Sequence, residues 1–206
     1  RPMRVDGPGR RVVLASGNAG KLAEIRSLLE GAGLDVLPQS EFAIVEVDET
    51  GLTFVENAIL KARAACAGAD LPAIADDSGL EVDYLHGAPG VRSARFAGAG
   101  CSDEDNNRLL LEKMQGVVEA ERGARFRCVM VYLRHARDPA PVICEGVWEG
   151  RLGMRPSGEG GFGYDPLFVP SGSAQSAACL VPAEKNRHSH RGQALRRLVA
   201  AISPVE

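Results

Sequence analysis

Two adjacent carboxylates, Asp76 and Asp77, are the residues whose types and spacing point first to chemistry. They follow Pro72-Ala-Ile-Ala, which predicts a short buried strand, and precede Ser78-Gly79, which predicts the turn that ends it. Neighbouring side chains in a regular strand point to opposite faces, but at a strand end both carboxylates can reach one site. Such a pair can hold a divalent cation, or one member can accept a proton from water. The alternative is a polar turn without chemistry, since Asp, Ser and Gly are common turn residues.

A glycine turn follows the predicted strand 11–15 and precedes a predicted amphipathic helix with Leu22 and Ile25 on its apolar face. This order places backbone N–H groups and the positive end of a helix dipole at the turn, which favours phosphate. The P-loop pattern is not met, because Leu22 takes the place of its Ser or Thr, and a purely structural turn is the alternative. The predicted phosphate-binding residues are Ser16, Gly17, Asn18, Ala19, Gly20 and Lys21.

A further pair of carboxylates, Asp48 and Glu49, lies just ahead of a helix predicted to run to about Gly68. The helix dipole stabilises carboxylates in this position, so a structural role is one interpretation. The other is that one of them completes a metal site with Asp76 and Asp77. Magnesium sites usually combine one or two protein carboxylates with phosphate and water.

The most unusual composition occurs at residues 158–166, where four glycines surround Phe162, Tyr164 and Asp165. Glycines let the backbone approach a flat ligand closely, and an aromatic ring can stack on it. A mobile loop whose aromatic residues pack on the core is the alternative. Long glycine-rich loops are often functional, so ligand contact is the favoured interpretation.

The segment that leads into the closing helix carries Lys185, His190 and Arg191, with Ser189 in position to cap the helix. Cations and hydrogen-bond donors at a helix start suit a phosphate or the carbonyl edge of a base. As an alternative, His190 is a surface residue with no role in binding.

The whole-chain composition narrows the class of protein. The 206 residues fit one domain, with residues 1–11 predicted as a flexible extension and 12–206 as the domain. A net charge of −3 gives no general reason to expect nucleic-acid binding. Five cysteines without a C-x-x-C pair fit reduced thiols in a cytoplasmic protein. No apolar stretch is long enough to span a membrane, so no membrane partner is expected.

The second half of the chain predicts a helix at about 102–115 and two longer strands, 124–134 and 142–152. The alternation of Phe126, Cys128 and Met130 indicates a sheet with unequal faces, and the two strands are expected to be antiparallel. The predicted fold is therefore α/β, a single domain with a central mixed β-sheet flanked by helices.

Six sequence blocks give the chain a close resemblance to the inosine triphosphatase-like family of noncanonical purine nucleoside triphosphate pyrophosphatases. Any one block is a weak signal, but six in the family's order are specific. Ser16 stands where many members have Thr, which keeps the hydroxyl group. The blocks are Ser16-Gly-Asn-Ala-Gly-Lys21, Glu49-Thr-Gly-Leu-Thr-Phe54 with Glu56-Asn-Ala, Ala75-Asp-Asp-Ser-Gly-Leu80, Gly87-Ala-Pro-Gly-Val-Arg-Ser-Ala-Arg95, Gly160-Gly-Phe-Gly-Tyr-Asp-Pro166 and Ser189-His-Arg-Gly192.

The resemblance implies an elongated sheet, two lobes with a cleft between them, and a homodimer. It implies Mg²⁺-dependent hydrolysis of ITP, dITP, XTP and dXTP to the nucleoside monophosphate and pyrophosphate, which cleanses the nucleotide pool. A related pyrophosphatase for other modified nucleotides, or a nucleotide sensor without catalysis, are the alternatives.

The same resemblance implies roles for individual residues. Asp77 is expected to accept the proton of the attacking water, and Glu49 and Asp77 to bind Mg²⁺ with Asp76 close by. The choice between Asp48 and Glu49 as the metal carboxylate stays open. The residues expected to bind the substrate, besides the glycine turn, are Ser78, Phe162, Gly163, Tyr164, Asp165, Lys185, His190 and Arg191.

Overall fold

A computed structural model describes residues 10–29, 31–45 and 47–202, so residues 1–9 of the predicted extension lie outside the described residues. Arg10 and Arg11 already belong to the first strand, two residues before the predicted start of the domain. Among the described residues, no helix is both long and apolar enough to cross a membrane.

The strands are β1 (Arg10–Ala15), β2 (Leu34–Pro38), β3 (Ala73–Val82), β4 (Gly123–Leu133), β5 (Val142–Leu152) and β6 (Phe168–Pro170). The α-helices are α1 (Ala19–Leu29), α2 (Phe54–Ala69), α3 (Asp103–Lys113), α4 (Pro182–His188) and α5 (His190–Ile202).

The six strands form one mixed sheet in the order β2-β1-β3-β4-β5-β6. β1 is parallel to both β2 and β3, whereas β3, β4, β5 and β6 pair in antiparallel fashion. The strand–helix–strand connections of the first half produce the parallel part, and the β4–β5 hairpin produces the antiparallel part. The prediction of an α/β fold with a central mixed sheet is therefore confirmed.

Helices cover both faces of the sheet, which explains why strand β1 is apolar on both sides. On one face α1 and α5 bury Ile25, Leu195 and Leu198 against β1, β3 and β4. On the other face α2 buries Ala58 and Ala62 against the same strands. A third apolar cluster joins α3 to the distal half of β3, β4 and β5. The site described below lies where these clusters meet at β3.

Local sequence signals set the starts of the helices. Thr53 and Glu56 form a capping box at the start of α2. Ser102 and Asp105 form a second one, so the prediction of a helix starting after Ser102 is confirmed. The Ser189 hydroxyl accepts a hydrogen bond from the Gly192 N–H at 3.1 Å, as expected of a residue capping α5. Helix α4 and strand β6 were not predicted from the sequence.

Candidate active site

Asp76 and Asp77 lie inside strand β3, not at its end. The prediction that Ser78-Gly79 forms a turn after them is wrong, because β3 continues to Val82 and pairs with β4 along its whole length. Gly79 is required for packing: a Cβ there would come within 2.3 Å of the Gly90 carbonyl oxygen. Pairing with a long antiparallel neighbour has overridden the local turn propensity of these residues.

The edge of β3 that faces β1 is open at this point. The last pair between the two strands joins Ala15 to Ala75, and in the described part of the chain β3 next forms a bridge on that side at Glu81. A cavity of about 1060 Å³ lies here. It adjoins the end of a strand flanked by helices, a common place for a ligand site in α/β proteins.

The cavity brings together most of the residues predicted to form the site. Ala19, Gly20 and Asp76 are not part of its wall. The predicted residues that line it are Ser16, Gly17, Asn18, Lys21, Glu49, Asp77, Ser78, Phe162, Gly163, Tyr164, Asp165, Lys185, His190 and Arg191.

The glycine turn after β1 is held by its own polar side chains. The Ser16 hydroxyl accepts a hydrogen bond from the Asn18 N–H at 3.2 Å, and the Asn18 side chain accepts one from the Lys21 N–H at 3.0 Å. Asn18 therefore acts as the cap of α1. Gly20 is needed because Phe162 packs against it, and a Cβ would come within 2.8 Å of the ring.

Asp77 points toward the face covered by α2, where its carboxylate is held by two side chains of that helix. Asn57 donates a hydrogen bond to Asp77 Oδ2 at 3.1 Å, and Lys61 Nζ lies 3.5 Å from Asp77 Oδ1. Lys61 also contacts Glu49 Oε1 at 2.6 Å, so one ammonium joins the two carboxylates. Arg95 lies 3.4 Å from the other oxygen of Glu49.

The pKa values of the two carboxylates that contact Lys61 shift in opposite directions. Burial raises the pKa of Asp77 above its ordinary value, and the negative charge of Glu49 adds to the rise, although Lys61 and Lys21 oppose it. Burial also acts to raise the pKa of Glu49, but Lys61, Lys21 and Arg95 outweigh it and the pKa is lowered. Asp77 is thus the carboxylate whose proton affinity is increased, as suits a proton acceptor.

Asp76 points toward the opposite face of β3 and is almost fully buried. Its Oδ2 lies 3.1 Å from Lys21 Nζ and 3.7 Å from Arg191 Nε, and accepts a hydrogen bond from the Ser78 hydroxyl at 3.3 Å. Burial acts to raise its pKa, but Lys21, Arg191 and Lys61 outweigh burial and hold the pKa well below its usual range. The structure brings Glu49 and Asp77 together and holds Asp76 on the other side of the strand.

A buried ion-pair network joins α1, α4 and α5 on that second face. Lys185 Nζ contacts Asp165 Oδ2 at 2.6 Å and Glu24 Oε1 at 2.7 Å. Arg191 pairs with the other oxygen of Glu24 and donates a hydrogen bond to the Ser78 hydroxyl at 3.0 Å. These contacts fix two cations at the cavity wall.

His190 is buried, so the alternative of a surface residue is wrong. Its ring stacks on Phe126 with centroids 4.8 Å apart, and the centroid of the Trp148 ring lies 6.5 Å from that of His190. Burial lowers its pKa well below 6.5, and the neighbouring cations Arg191 and Lys185 lower it further. The imidazole is therefore neutral, and its Nδ1 has no hydrogen-bond partner among the described residues.

Three residues of this site were missed by the sequence analysis: Asn57, Lys61 and Glu24. Asn57 and Lys61 are four residues apart and so lie on one face of α2, where two polar residues among alanines were an available signal. Glu24 lies one turn after Lys21, but nothing in the sequence indicates that it contacts Lys185 and Arg191. That contact joins residues more than 160 positions apart.

Both the sequence and the fold of this chain match known proteins. Residues 12–201 match the model of the Ham1 family. The chain is 60% identical to a dITP/XTP pyrophosphatase of Thioalkalivibrio sulfidiphilus, with 93% of this chain and 98% of that protein covered. It is 53% identical to a dITP/XTP pyrophosphatase of Escherichia coli K12, with 94% and 98% covered. The solved structure of a HAM1 protein from Coxiella burnetii superposes with a TM-score of 0.87 at 47% identity, with 94% and 98% covered.

Proposed function

Because the chain belongs to the Ham1 family, we propose that it hydrolyses noncanonical purine nucleoside triphosphates (dITP, ITP, XTP and dXTP) to the nucleoside monophosphate and pyrophosphate. Its relatives of 53–60% identity are named dITP/XTP pyrophosphatases. The observation that carries the proposal is that one cavity is lined by the glycine turn after β1, by the carboxylates of Glu49 and Asp77, and by the aromatic residues of the glycine-rich loop. Removing such nucleotides would keep them out of DNA and RNA.

We propose Mg²⁺ as the cofactor, held by Glu49 and Asp77. The described residues include no group of three or more His, Cys, Asp and Glu side chains spaced to bind a metal. Two carboxylates on one cavity wall nevertheless fit magnesium, which usually takes its remaining ligands from phosphate and water. Bound there, Mg²⁺ would neutralise phosphate charge and make the attacking water more acidic.

Asp77 is the residue proposed to accept the proton of the attacking water. The oxygen of that water forms a bond to the α-phosphorus, and the bond from this phosphorus to the α–β bridging oxygen breaks, so pyrophosphate leaves. Asn57 and Lys61 hold the Asp77 carboxylate at the cavity wall. Lys21 and Lys185 supply positive charge for the triphosphate. Ser78 lines the cavity beside them and is proposed to contact the substrate.

Base selection is proposed to depend on donors from His190 and Arg191. Hypoxanthine and xanthine carry a carbonyl at C6, whereas adenine carries an amino donor there. Adenine would therefore place a donor against a donor, and a buried site that loses hydrogen bonds discriminates strongly. Phe162 is proposed to stack on the base. Retained preference for ITP over ATP in both His190→Ala and Arg191→Ala would contradict this account.

Product analysis tests the proposed function. The purified protein is incubated with dITP, XTP, dATP, dGTP or dTTP, with Mg²⁺ or with chelator, and pyrophosphate is measured against orthophosphate. We expect pyrophosphate chiefly from dITP and XTP, and only with Mg²⁺. Orthophosphate, or equal rates for all five nucleotides, would contradict the proposal.

The remaining expectations concern partners and location. A homodimer, a cytoplasmic location and the absence of nucleic-acid and membrane partners stay predictions.

A further inference from the structure

Helix α3 holds the backbone of the glycine-rich loop at Gly163. The Gly163 N–H donates a hydrogen bond to Asp103 Oδ2 at 2.7 Å, and the Gly163 carbonyl accepts one from Asn107 Nδ2 at 2.8 Å. Asp103 and Asn107 are four residues apart on α3 and so lie on the same face of the helix. Two contacts on opposite sides of one glycine fix the orientation of the loop as well as its position.

The helix end that makes these contacts is itself well anchored. Asn107 Nδ2 also donates to the Asp103 carbonyl at 2.9 Å, and the capping box of Ser102 and Asp105 closes the first turn. Leu110 is fully buried one turn further on. The first turn of α3 is therefore a fixed support, and Asp103 lies in the cavity wall.

The residue that this support places is Phe162, which directly precedes Gly163. Its ring centroid lies 4.8 Å from Lys185 Nζ and 5.5 Å from Arg191 Cζ, and the ring packs against Gly20. Its N–H donates to Asp165 Oδ2 at 2.9 Å. These contacts hold Phe162 from the α1 and α5 side of the cavity, whereas α3 holds the loop through the next residue.

We propose that Asp103 and Asn107 are positioning residues for base selection, which hold the Gly163 backbone so that Phe162 presents its ring to the purine. This inference rests on the proposed function, because it names residues that serve the same cavity. Stacking on a ring accepts any base, so discrimination has to come from contacts at the base edge. A ring held at a fixed angle keeps that edge in register with His190 and Arg191.

Loss of the contacts from α3 is expected to weaken base selection more than the rate of hydrolysis. Asp77 and Glu49 are held by side chains of α2, and among the described residues neither forms a hydrogen bond or ion pair with the glycine-rich loop. Removing a hydrogen bond to Gly163 would therefore raise KM for dITP and lower the preference for dITP over dATP, and kcat for dITP would change little. Uniform loss of folded protein would instead lower the rates for both nucleotides equally.

The experiment compares Asp103→Ala and Asn107→Ala with Glu104→Ala, which removes an exposed carboxylate from the same turn. Asp103→Asn keeps an oxygen acceptor for the Gly163 N–H and serves as the conservative variant. We expect the ratio of kcat/KM for dITP over dATP to fall about three- to tenfold in the two alanine variants. Glu104→Ala and Asp103→Asn should keep the wild-type ratio.

Two further measurements separate the possible outcomes. Hydrogen exchange of the Gly163 amide should be faster in Asp103→Ala and unchanged in Glu104→Ala. Faster exchange together with an unchanged dITP/dATP ratio would show a structural role only and overturn the inference. Should an alanine variant fail to fold, Asp103→Ser or Asn107→Ser takes its place in the same comparison.

A wild-type protein without preference for dITP would contradict the proposed function, and the inference would then be decided by binding. Affinity for inosine monophosphate, measured by calorimetry, requires no turnover. Weaker binding in both alanine variants than in Glu104→Ala would support the positioning role. Equal binding in all of them would overturn it.

Discussion

Asp76 and Asp77 are adjacent and chemically identical, but on the two faces of β3 their pKa values shift in opposite directions. On the α2 face, Asp77 lies at the cavity wall, its carboxylate is held by Asn57 and Lys61, and its pKa is raised. On the α1 and α5 face, Asp76 is enclosed by Lys21 and Arg191, and its pKa is lowered. Both carboxyls are buried, so the difference arises from the number and proximity of the cations around each. The first arrangement suits proton transfer, and the second is expected to stabilise the fold.

Asp77→Asn is expected to have the largest effect, on the α2 face. The amide keeps the shape of the side chain but cannot accept a proton, so turnover should fall roughly 10²–10⁴-fold. Nucleotide binding, measured by calorimetry, should persist. Near-normal turnover in this variant would remove Asp77 from the role of proton acceptor.

Asp76→Asn, on the α1 and α5 face, is expected to lower the stability of the protein. The amide leaves Lys21 and Arg191 without their shared buried counter-charge, and breaking such a pair costs about 3–5 kcal/mol. Urea denaturation measures the change in the free energy of unfolding. A variant as stable as the wild type would show that the charge of Asp76 contributes nothing to folding, and the contrast between the two faces would fail.

Asn57→Ala tests whether orientation of Asp77 matters beyond its identity. Asn57 is fully buried, donates to Asp77 and accepts a hydrogen bond from the Gly51 N–H at 2.8 Å, so it links Asp77 to the segment that carries Glu49. We expect kcat to fall about 10- to 100-fold, the loss typical of residues that orient a metal-binding carboxylate, which is the role proposed for Asp77. Asn106, a buried asparagine in α3, provides the matched control: Asn106→Ala removes a similar buried amide without touching Asp77. Equal kcat losses in both variants would indicate general loosening.

Glu24→Gln, on the α1 and α5 face, is expected to have the smallest effect. The effect is a change in how the stability of the protein depends on pH. Burial acts to raise the pKa of Glu24, but Arg191 and Lys185 outweigh it, so the folded-state pKa is below the unfolded one. The carboxylate therefore stabilises the protein above the unfolded pKa of about 4.3, and this contribution is lost as pH falls through the folded pKa. Melting temperatures from pH 7 to 3 should decline less steeply in the variant. An equally steep decline of the melting temperature in the variant and the wild type would contradict this contribution of Glu24 to stability.

Much of the fold could be predicted from local patterns. The order of β1, the glycine turn and α1, the capping box of α3 and the β4–β5 hairpin each follow from residues close together in sequence. The error at Ser78-Gly79 shows the limit of such patterns. Asp, Ser and Gly favour a turn locally, but ten successive pairs with β4 stabilise an extended strand, and that partner lies about fifty residues away.

The sequence by itself determined which chemical groups are present and in what order, and with them the family. Only the tertiary structure decided which carboxylate faces the cavity. In a continuous strand Asp76 and Asp77 must point to opposite faces, and the helices that cover each face supply their charged neighbours. The contacts of Glu24 with Lys185 and Arg191, and of Asp103 and Asn107 with Gly163, depend in the same way on packing between distant elements. No local periodicity encodes such contacts.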